Sequence, residues 1–471
     1  MISSIRSYFP QRLSWIPTSR PPHEYFELAG KLLLKHEIPL SEEQISHLVS
    51  TSVLTKVDSF ERHYFGPRCR RCGNQQAHFF ATMPHASCGR DCTYCRYCIQ
   101  MGRVLACEPI YIGSSNVKWP APAHPCAWEG TLTPAQEMAA DELVTLVQSG
   151  GGERLVWAVC GAGKTEMLFP AITKALQQGK RICLATPRTD VVRELLPRMK
   201  TAFPQVGVQA LYGDSPDKRG NAPFLLATTH QLYRFAHAFD VMIIDEVDAF
   251  PFHNDPSLHF VSQRAAKPEA AVIYLTATPR KKQKRKIRYK KLPVTFIPRR
   301  FHGHPLPVPQ LKLTPTLHRS LKKGELPTRI LKSIAEQNLT HRQLLLFLPS
   351  IKKAEEIARF LLEEGYDVKA VHAEDTDRAE KIAAFRKKEY RMLVTTTILE
   401  RGVTFPSVDV FVIDAGHAVF DEAALVQIAG RAGRSHEDPS GNVIFYHIGK
   451  TDEMLDAVDA ILYMNRLGEK G

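Results

Sequence analysis

Two short segments, far apart in the chain, carry residue types that handle phosphate. The first is Ala158-Val159-Cys160-Gly161-Ala162-Gly163-Lys164-Thr165. Glycine there lets backbone N–H groups turn toward phosphate oxygens, and a helix opening behind the loop favours anions at its N-terminus. Lys164 suits the β- and γ-phosphates and Thr165 suits Mg²⁺. Gly161, Ala162, Gly163, Lys164 and Thr165 are thus candidate nucleotide ligands. Ala158 stands where the strict pattern has its first glycine, a departure that leaves the Gly-x-Gly-Lys-Thr core intact. The second segment is Gln427-Ile428-Ala429-Gly430-Arg431-Ala432-Gly433-Arg434. Arg431 and Arg434, three residues apart, are expected to share one helix face. Facing a nucleotide, they would stabilise charge on its γ-phosphoryl group. The plainer reading is a solvated arginine-rich helix end.

Carboxylates follow the apolar run Val241-Met242-Ile243-Ile244 as Asp245-Glu246-Val247-Asp248. Asp245 would hold Mg²⁺, and Glu246 would orient or deprotonate the attacking water. Asp248 would couple this loop to a second lobe. Taken alone, this is an acidic loop after a buried strand; together with a phosphate loop it indicates hydrolysis. Upstream, Gln136 in Thr133-Pro134-Ala135-Gln136 has the amide chemistry for an adenine edge, or for capping the next helix. The hydroxyls of Thr276-Ala277-Thr278-Pro279 suit a link between the acidic loop and a bound polymer.

Cysteines form a third constellation. Cys69-Arg70-Arg71-Cys72 and Cys95-Arg96-Tyr97-Cys98 are two Cys-x2-Cys knuckles in a stretch with little room for a hydrophobic core. Four thiolates suit tetrahedral Zn²⁺, whose binding would supply folding energy. Gly73 permits a tight turn after the first knuckle. Cys88 and Cys92 leave the ligand set open: they are spare, or they exchange with the knuckle thiols. An iron–sulfur cluster and free thiols are the alternatives to zinc. Arginines 68, 70, 71, 90, 96 and 103 suit phosphate contacts or simply offset thiolate charge.

The elements that position these residues follow from periodicity. Short continuous apolar runs at 155–159, 181–185, 224–227, 241–244 and 271–275 alternate with helical segments, one of them Thr165–Gln178. Such runs indicate parallel strands buried on both faces. After a proline-rich break at 298–315 the alternation resumes at 343–348, 368–371, 391–395, 408–413 and 442–446, with a terminal helix over 452–465. Ser41-Glu42-Glu43-Gln44 reads as a capped helix start. The expected organisation is a partly helical region over 1–65 and a four-cysteine zinc module over 66–107. An α/β ATP-binding domain over 108–300, a linker over 301–320 and a second α/β domain over 321–471 complete it. The fold class is therefore α/β, with two parallel-sheet lobes preceded by a small cysteine-rich zinc-binding module.

Bulk properties narrow the partners. A chain of 471 residues calls for several cores. No stretch approaches the roughly eighteen apolar residues of a membrane span, and the first residues lack a secretory pattern. Ten cysteines without export signals point to reduced thiols or metal ligands. The net charge of +13 favours a polyanion. Arg280 to Lys291 places nine Lys/Arg in twelve residues, a density suited to sequence-independent phosphate contact, to an anionic lipid surface, or to a solvated face.

The motif order resembles that of superfamily-2 helicases and translocases. Its stations are Gln136, 158–165, Thr186-Pro187-Arg188, Thr228-Thr229-His230-Gln231, 245–248, 276–278, Leu346-Phe347-Leu348-Pro349, 395–402 and 427–434. The resemblance implies two RecA-like lobes, a helicase ATP-binding domain over 108–300 and a helicase C-terminal domain over 321–471, with ATP and Mg²⁺ between them. It also implies Thr186, Arg188, Thr228 and Thr396 near a phosphodiester backbone, and Gly402 in a loop linking strand to nucleotide. With the cysteine island attached, the chain resembles the late-competence ATPase family ComFA of Gram-positive bacteria. The residues carrying this are Arg71-Cys72-Gly73, Tyr94-Cys95-Arg96, Cys98, Met101-Gly102-Arg103 and the motor motifs. That family implies Zn²⁺ on Cys69, Cys72, Cys95 and Cys98. It implies ATP-driven import of single-stranded DNA at the cytoplasmic side of the membrane. Implied partners are a phosphoribosyltransferase-like competence protein, the competence membrane channel and single-strand-processing proteins; a homo-oligomer is a further expectation. Two other functions fit the motor motifs: a duplex-unwinding helicase, 3′–5′ or other, in replication restart or repair, and a nucleotide-gated DNA-binding scaffold.

Overall fold

A computed structural model describes residues 19–21, 23–64, 66–216 and 220–470. The fold is α/β, with two parallel-sheet RecA-like lobes preceded by a buried four-cysteine cluster. The first large sheet has the strand order Val208–Leu211, Phe224–Thr228, Ile182–Thr186, Phe239–Ile244, Ala266–Thr276, Gly152–Ala158, Val294–Ile297. The second runs Gln310–Leu313, Val443–His447, Val408–Ile413, Gln343–Phe347, Met392–Thr395, Val368–Val371, with every pairing parallel. Their central strands are buried along their whole length, as continuous apolar runs require of a sheet covered on both faces. Burying each large aliphatic side chain contributes about 1.5–3 kcal/mol.

The described residues form two compact units. One takes in the chain through Thr131 together with Ala140–Arg154 and Leu168–Tyr274; the other comprises Leu132–Ala139, Leu155–Met167 and Leu275–Gly471. In the first unit, the cysteine module has no separate core. Cys69, Cys72, Cys95 and Cys98 pack in one buried cluster with Cys183, Ala185, Phe235, Phe239 and Leu258. In the second unit, Leu344, Leu346, Ile357, Leu361, Val394 and Ile413 form the corresponding core.

One local reading is extended and three are revised. The region before the cysteines contains the capped helix Glu42–Ser50, where Gln44 N donates to Ser41 Oγ at 3.2 Å. It also contains strands: Leu32–Leu34 and Leu54–Val57 flank Ile110–Gly113 in an antiparallel sheet. The helix after the phosphate loop is two pieces, Lys164–Met167 and Phe169–Gln177, because Pro170, in the first turn of the second, has no N–H to continue the first. The stretch read as linker carries the edge strand Gln310–Leu313 and the helix Leu317–Lys323, since its prolines fall outside the paired residues. Finally, Arg431 and Arg434 do not share a helix. The helix is Glu422–Ala429, and both arginines lie beyond its cap at Gly430. Gly433 then takes a left-handed φ of +63°, which turns the chain away from helical geometry. Among the described residues, no helix is long and apolar enough to cross a membrane.

Candidate functional site

The phosphate loop leaves the strand Gly152–Ala158 and enters the helical turn Lys164–Met167. Gly161 and Gly163 have left-handed φ of +81° and +67°, the freedom the loop demands. Lys164 and Thr165 remain partly exposed. Gln136 is buried against this loop. Its Nε2 donates to Ala162 O at 2.8 Å and Gly163 O at 3.3 Å, while its Oε1 accepts from Thr133 N at 2.7 Å. A Cβ on Gly163 would come within 2.4 Å of Gln136 Nε2, so a side chain there would displace the amide that braces the loop. Gln136 thus ties the loop's carbonyls to the helix Pro134–Gln148.

The distant arginine segment reaches the same loop. Cys160 Sγ donates to Gln427 Oε1 at 3.0 Å. A Cβ on Gly430 would meet Cys160 Cβ at 2.6 Å, and one on Gly161 would meet Arg434 Cγ at 3.7 Å. Arg434 is steadied by Nη1 donating to Val403 O and Thr404 Oγ1, both at 3.2 Å. Arg431, buried, donates from Nε to Glu400 O at 3.0 Å. The arginine pair is therefore anchored to the segment around Gly402, whose own φ is +78°.

Sequence reading missed Arg300. It lies past the strand Val294–Ile297, which pairs in parallel with the loop's own strand. Its buried guanidinium donates to Gly433 O and, at 3.4 Å, to Gly430 O. Burial lowers its pKa to about 10. The next residue, Phe301, donates its N–H to Gly161 O at 3.0 Å. One segment thus braces both the phosphate loop and the arginine turn. Nothing in the local sequence marks Arg300, because its partners are backbone carbonyls more than a hundred residues away.

The carboxylate loop begins where the strand Phe239–Ile244 ends. Asp245 N donates to Ala185 O at 2.8 Å, and Glu246 N donates to Asp245 Oδ1 at 2.9 Å. Glu246 has a φ of +52°, a conformation uncommon outside glycine and a frequent mark of functional loops. Asp248 is fully buried. Thr186 and Thr228 are register partners at the ends of adjacent parallel strands. Both are buried, and Arg188 two residues on is held by Asp190 at 2.6 Å. Thr396 follows the strand Met392–Thr395 of the second sheet.

In the cysteine module, Cys69, Cys72, Cys95 and Cys98 are buried, and their sulfurs all lie within 4.8 Å of one another. Cys69 Sγ is 3.7 Å from Cys98 Sγ, and Cys72 Sγ is 3.5 Å from Cys95 Sγ. A tetrahedron with Zn–S arms of about 2.3 Å has edges of about 3.8 Å, so the set fits Zn²⁺. Asn74 N donates to Cys72 Sγ at 3.4 Å, the kind of outer contact that supports a thiolate ligand. Hydrogen bonds shared with the neighbouring thiols push the Cys72 and Cys98 pKa up and pull that of Cys95 down. Four thiolates this close repel one another, and a bound cation offsets that charge. Gly73, at φ +74°, has no room for a side chain because Phe260 would stand 2.6 Å from its Cβ. Of the arginines near the ligands, Arg71 is fully buried, with Nη1 donating to Gly102 O and Nη2 3.6 Å from Glu37 Oε1; it is structural. Arg90, Arg96 and Arg103 are exposed.

Comparison with known proteins places this arrangement. Residues 23–112 match the competence protein ComFA N-terminal domain, 129–281 the type III restriction enzyme res subunit, and 325–436 the helicase conserved C-terminal domain. Competence protein ComFA of Bacillus subtilis is 42% identical over 94% of this chain and 95% of its own length. Its Streptococcus pneumoniae counterpart is 39% identical over 79% of this chain and 86% of its own. The solved structure of S. cerevisiae Dbp5 bound to RNA and ADP BeF3 shares the fold, with a TM-score of 0.52 at 16% identity over 71% of this chain and 91% of that one. Near-full-length identity, joined to the four-cysteine cluster and the phosphate loop, shows that the chain belongs to the ComFA family of superfamily-2 helicase-like ATPases.

Proposed function

We propose that this chain is an ATP-driven single-stranded DNA translocase that draws transforming DNA into the cytoplasm during natural competence. The observation that carries the motor reading is the seating of Gln427, Gly430 and Arg434 against Cys160 and Gly161 of the phosphate loop. ComFA membership supports the DNA-uptake role. In this reading, Gly161, Ala162 and Gly163 offer backbone N–H groups to ATP, and Lys164 binds its β- and γ-phosphates. Thr165 and Asp245 hold Mg²⁺, and Glu246 orients the attacking water. Arg431 and Arg434 stabilise charge as the γ-phosphoryl leaves. Gln136 supports nucleotide binding by bracing the phosphate loop. Cys69, Cys72, Cys95 and Cys98 hold a structural Zn²⁺. Thr186, Arg188, Thr228 and Thr396 line the DNA backbone path. The protein works at the inner face of the cell membrane with the competence channel, a phosphoribosyltransferase-like competence protein and single-strand-processing proteins.

The test compares ATP turnover with single-stranded DNA, duplex DNA and RNA, beside strand-displacement and translocation assays. Stimulation by single-stranded DNA with movement but no unwinding is expected; stimulation by RNA alone would sink the reading. Lys164→Ala should abolish hydrolysis. Glu246→Gln should bind ATP without turning it over, and normal hydrolysis by that variant would remove Glu246 from the water-handling role.

A further inference from the structure

Cys88 and Cys92 do not join the four knuckle thiols. They belong to a second donor set built on the hairpin of Phe80–His85 and Arg90–Cys95. His85, Cys88, Cys92 and Cys107 each offer one ligand atom, and those atoms all lie within 4.8 Å of one another. His85 ends the first strand opposite Arg90, and the turn between them carries Cys88. That turn is fixed by Cys88 N and Gly89 N donating to His85 O at 3.3 and 2.9 Å. Cys92 stands on the second strand, opposite Met83. Cys107 arrives after the strand Val104–Leu105, which pairs with Tyr94 and Cys95, and Ala106 N pins it by donating to Thr93 O at 2.8 Å.

The chemistry of the set is that of a metal site. Cys107 Sγ lies 3.2 Å from His85 Nδ1, so the imidazole nitrogen faces the sulfurs. The other ring nitrogen, Nε2, lies 3.8 Å from Glu108 Oε1. A carboxylate near the far nitrogen, here at ion-pair distance, favours the orientation a metal-bound histidine takes. Glu108 is itself placed by Ser59 Oγ, which donates to its carbonyl. One nitrogen and three sulfurs match tetrahedral Zn²⁺ better than harder or octahedral cations. The two donor sets interleave along the chain: 69 and 72, then 85, 88 and 92, then 95 and 98, then 107. Each ion would tie together segments that the other leaves apart.

We propose that His85, Cys88, Cys92 and Cys107 bind a second structural Zn²⁺, distinct from the one on Cys69, Cys72, Cys95 and Cys98. Binding forms one Zn–N and three Zn–S bonds and releases three thiol protons to solvent, with no change of oxidation state.

Metal content of the full chain, purified without chelator, tests this by elemental mass spectrometry. Two zinc per chain are expected, falling to one in Cys88→Ser and in Cys107→Ser and staying at two in Cys126→Ser. One zinc in the unaltered chain, or two in Cys107→Ser, overturns the proposal. Should the serine variants fail to fold, Co²⁺ titration of the zinc-stripped chain decides. Thiolate-to-cobalt absorption should saturate at two equivalents with two distinguishable visible spectra. Saturation at one equivalent overturns it.

Discussion

Gly430 is where the arginine turn touches the phosphate loop most closely. A methyl there would sit 2.6 Å from Cys160 Cβ and 2.9 Å from its Sγ, so something must move. Overpacking of this kind costs roughly 1–3 kcal/mol. The displaced element is the turn that presents Arg431 and Arg434. Gly430→Ala should therefore lower ATP turnover at least about tenfold, since a small misplacement of a catalytic group carries a large kinetic cost. Its thermal stability should fall by only a few degrees. Steady-state hydrolysis alongside a melting curve checks this; wild-type turnover would show that the packing at Gly430 does not position the arginines. The phosphate loop and acidic loop were legible because each is one contiguous segment. The arginine pair was legible as chemistry but not as geometry, because Gly430 ends the helix that spacing alone suggested. Arg300 was not legible at all, since an arginine that grips main-chain carbonyls leaves no pattern.

Arg264 does at the scale of elements what Gly430 does at a single point. It sits near the end of the helix Pro256–Ala265 and is buried. Nη1 donates to Arg71 O and, at 3.3 Å, to Arg70 O in the first cysteine knuckle. Nη2 donates to Leu232 O and Tyr233 O at 3.2 and 3.0 Å, and Nε to Phe235 O at 3.1 Å. It ties the knuckle to the helical turns Thr229–Arg234, which follow the Thr228 motif. Arg264→Met leaves these carbonyls without that donor at about 1–3 kcal/mol for each one stranded, so a loss of at least about 3 kcal/mol is expected. Arg264→Lys keeps the charge but not the fork and should fare little better. A lysine variant that melts with the wild type would refute the carbonyl-clamp argument. Neighbouring His237, whose N–H donates to Arg264 O at 2.7 Å, has its pKa lowered to about 4 by burial, with Arg264 adding to the effect. The unfolded chain binds that proton more readily. Stability from this residue is therefore full above about pH 6.5 and drains away as pH falls toward 4, by roughly 3 kcal/mol in all. His237→Asn, which tolerates the left-handed φ of +47°, should flatten that part of the acid profile. Melting temperatures of both chains from pH 7.5 to 4.5 measure the difference; parallel curves would remove His237 from the account. The parallel strands around these clamps were legible as unbroken apolar runs. The N-terminal antiparallel sheet was not, because Leu32–Leu34 and Ile110–Gly113 meet only after the whole cysteine module intervenes.

For the whole molecule, the net charge of +13 matters through where it stays available. The segment after Thr276–Thr278 folds as the helix Lys281–Arg288. Two of its basic groups are already engaged: Arg280 with Asp421 at 2.7 Å and Lys284 with Glu422 at 2.6 Å. Those pairs fix the helix rather than leave it free to bind. Lys281, Lys282, Arg285, Arg288, Lys290 and Lys291 remain exposed. Cations clustered on one segment meet phosphates without reading bases, and each such pairing releases counterions. Removing one phosphate pairing to single-stranded DNA should shrink the slope of log affinity against log salt by about 0.7. Lys282→Glu with Arg285→Glu should therefore weaken single-strand binding equally for all sequences. It should flatten that slope by about 1.4 if each side chain meets one phosphate. Hydrolysis without DNA should not change, since both side chains are exposed and neither belongs to the phosphate loop or the arginine turn. Fluorescence anisotropy with labelled oligonucleotides across a salt series provides the measurement. An unchanged slope, with binding to anionic vesicles abolished instead, would assign the helix to the membrane surface and leave DNA binding to the threonine-bearing strand ends.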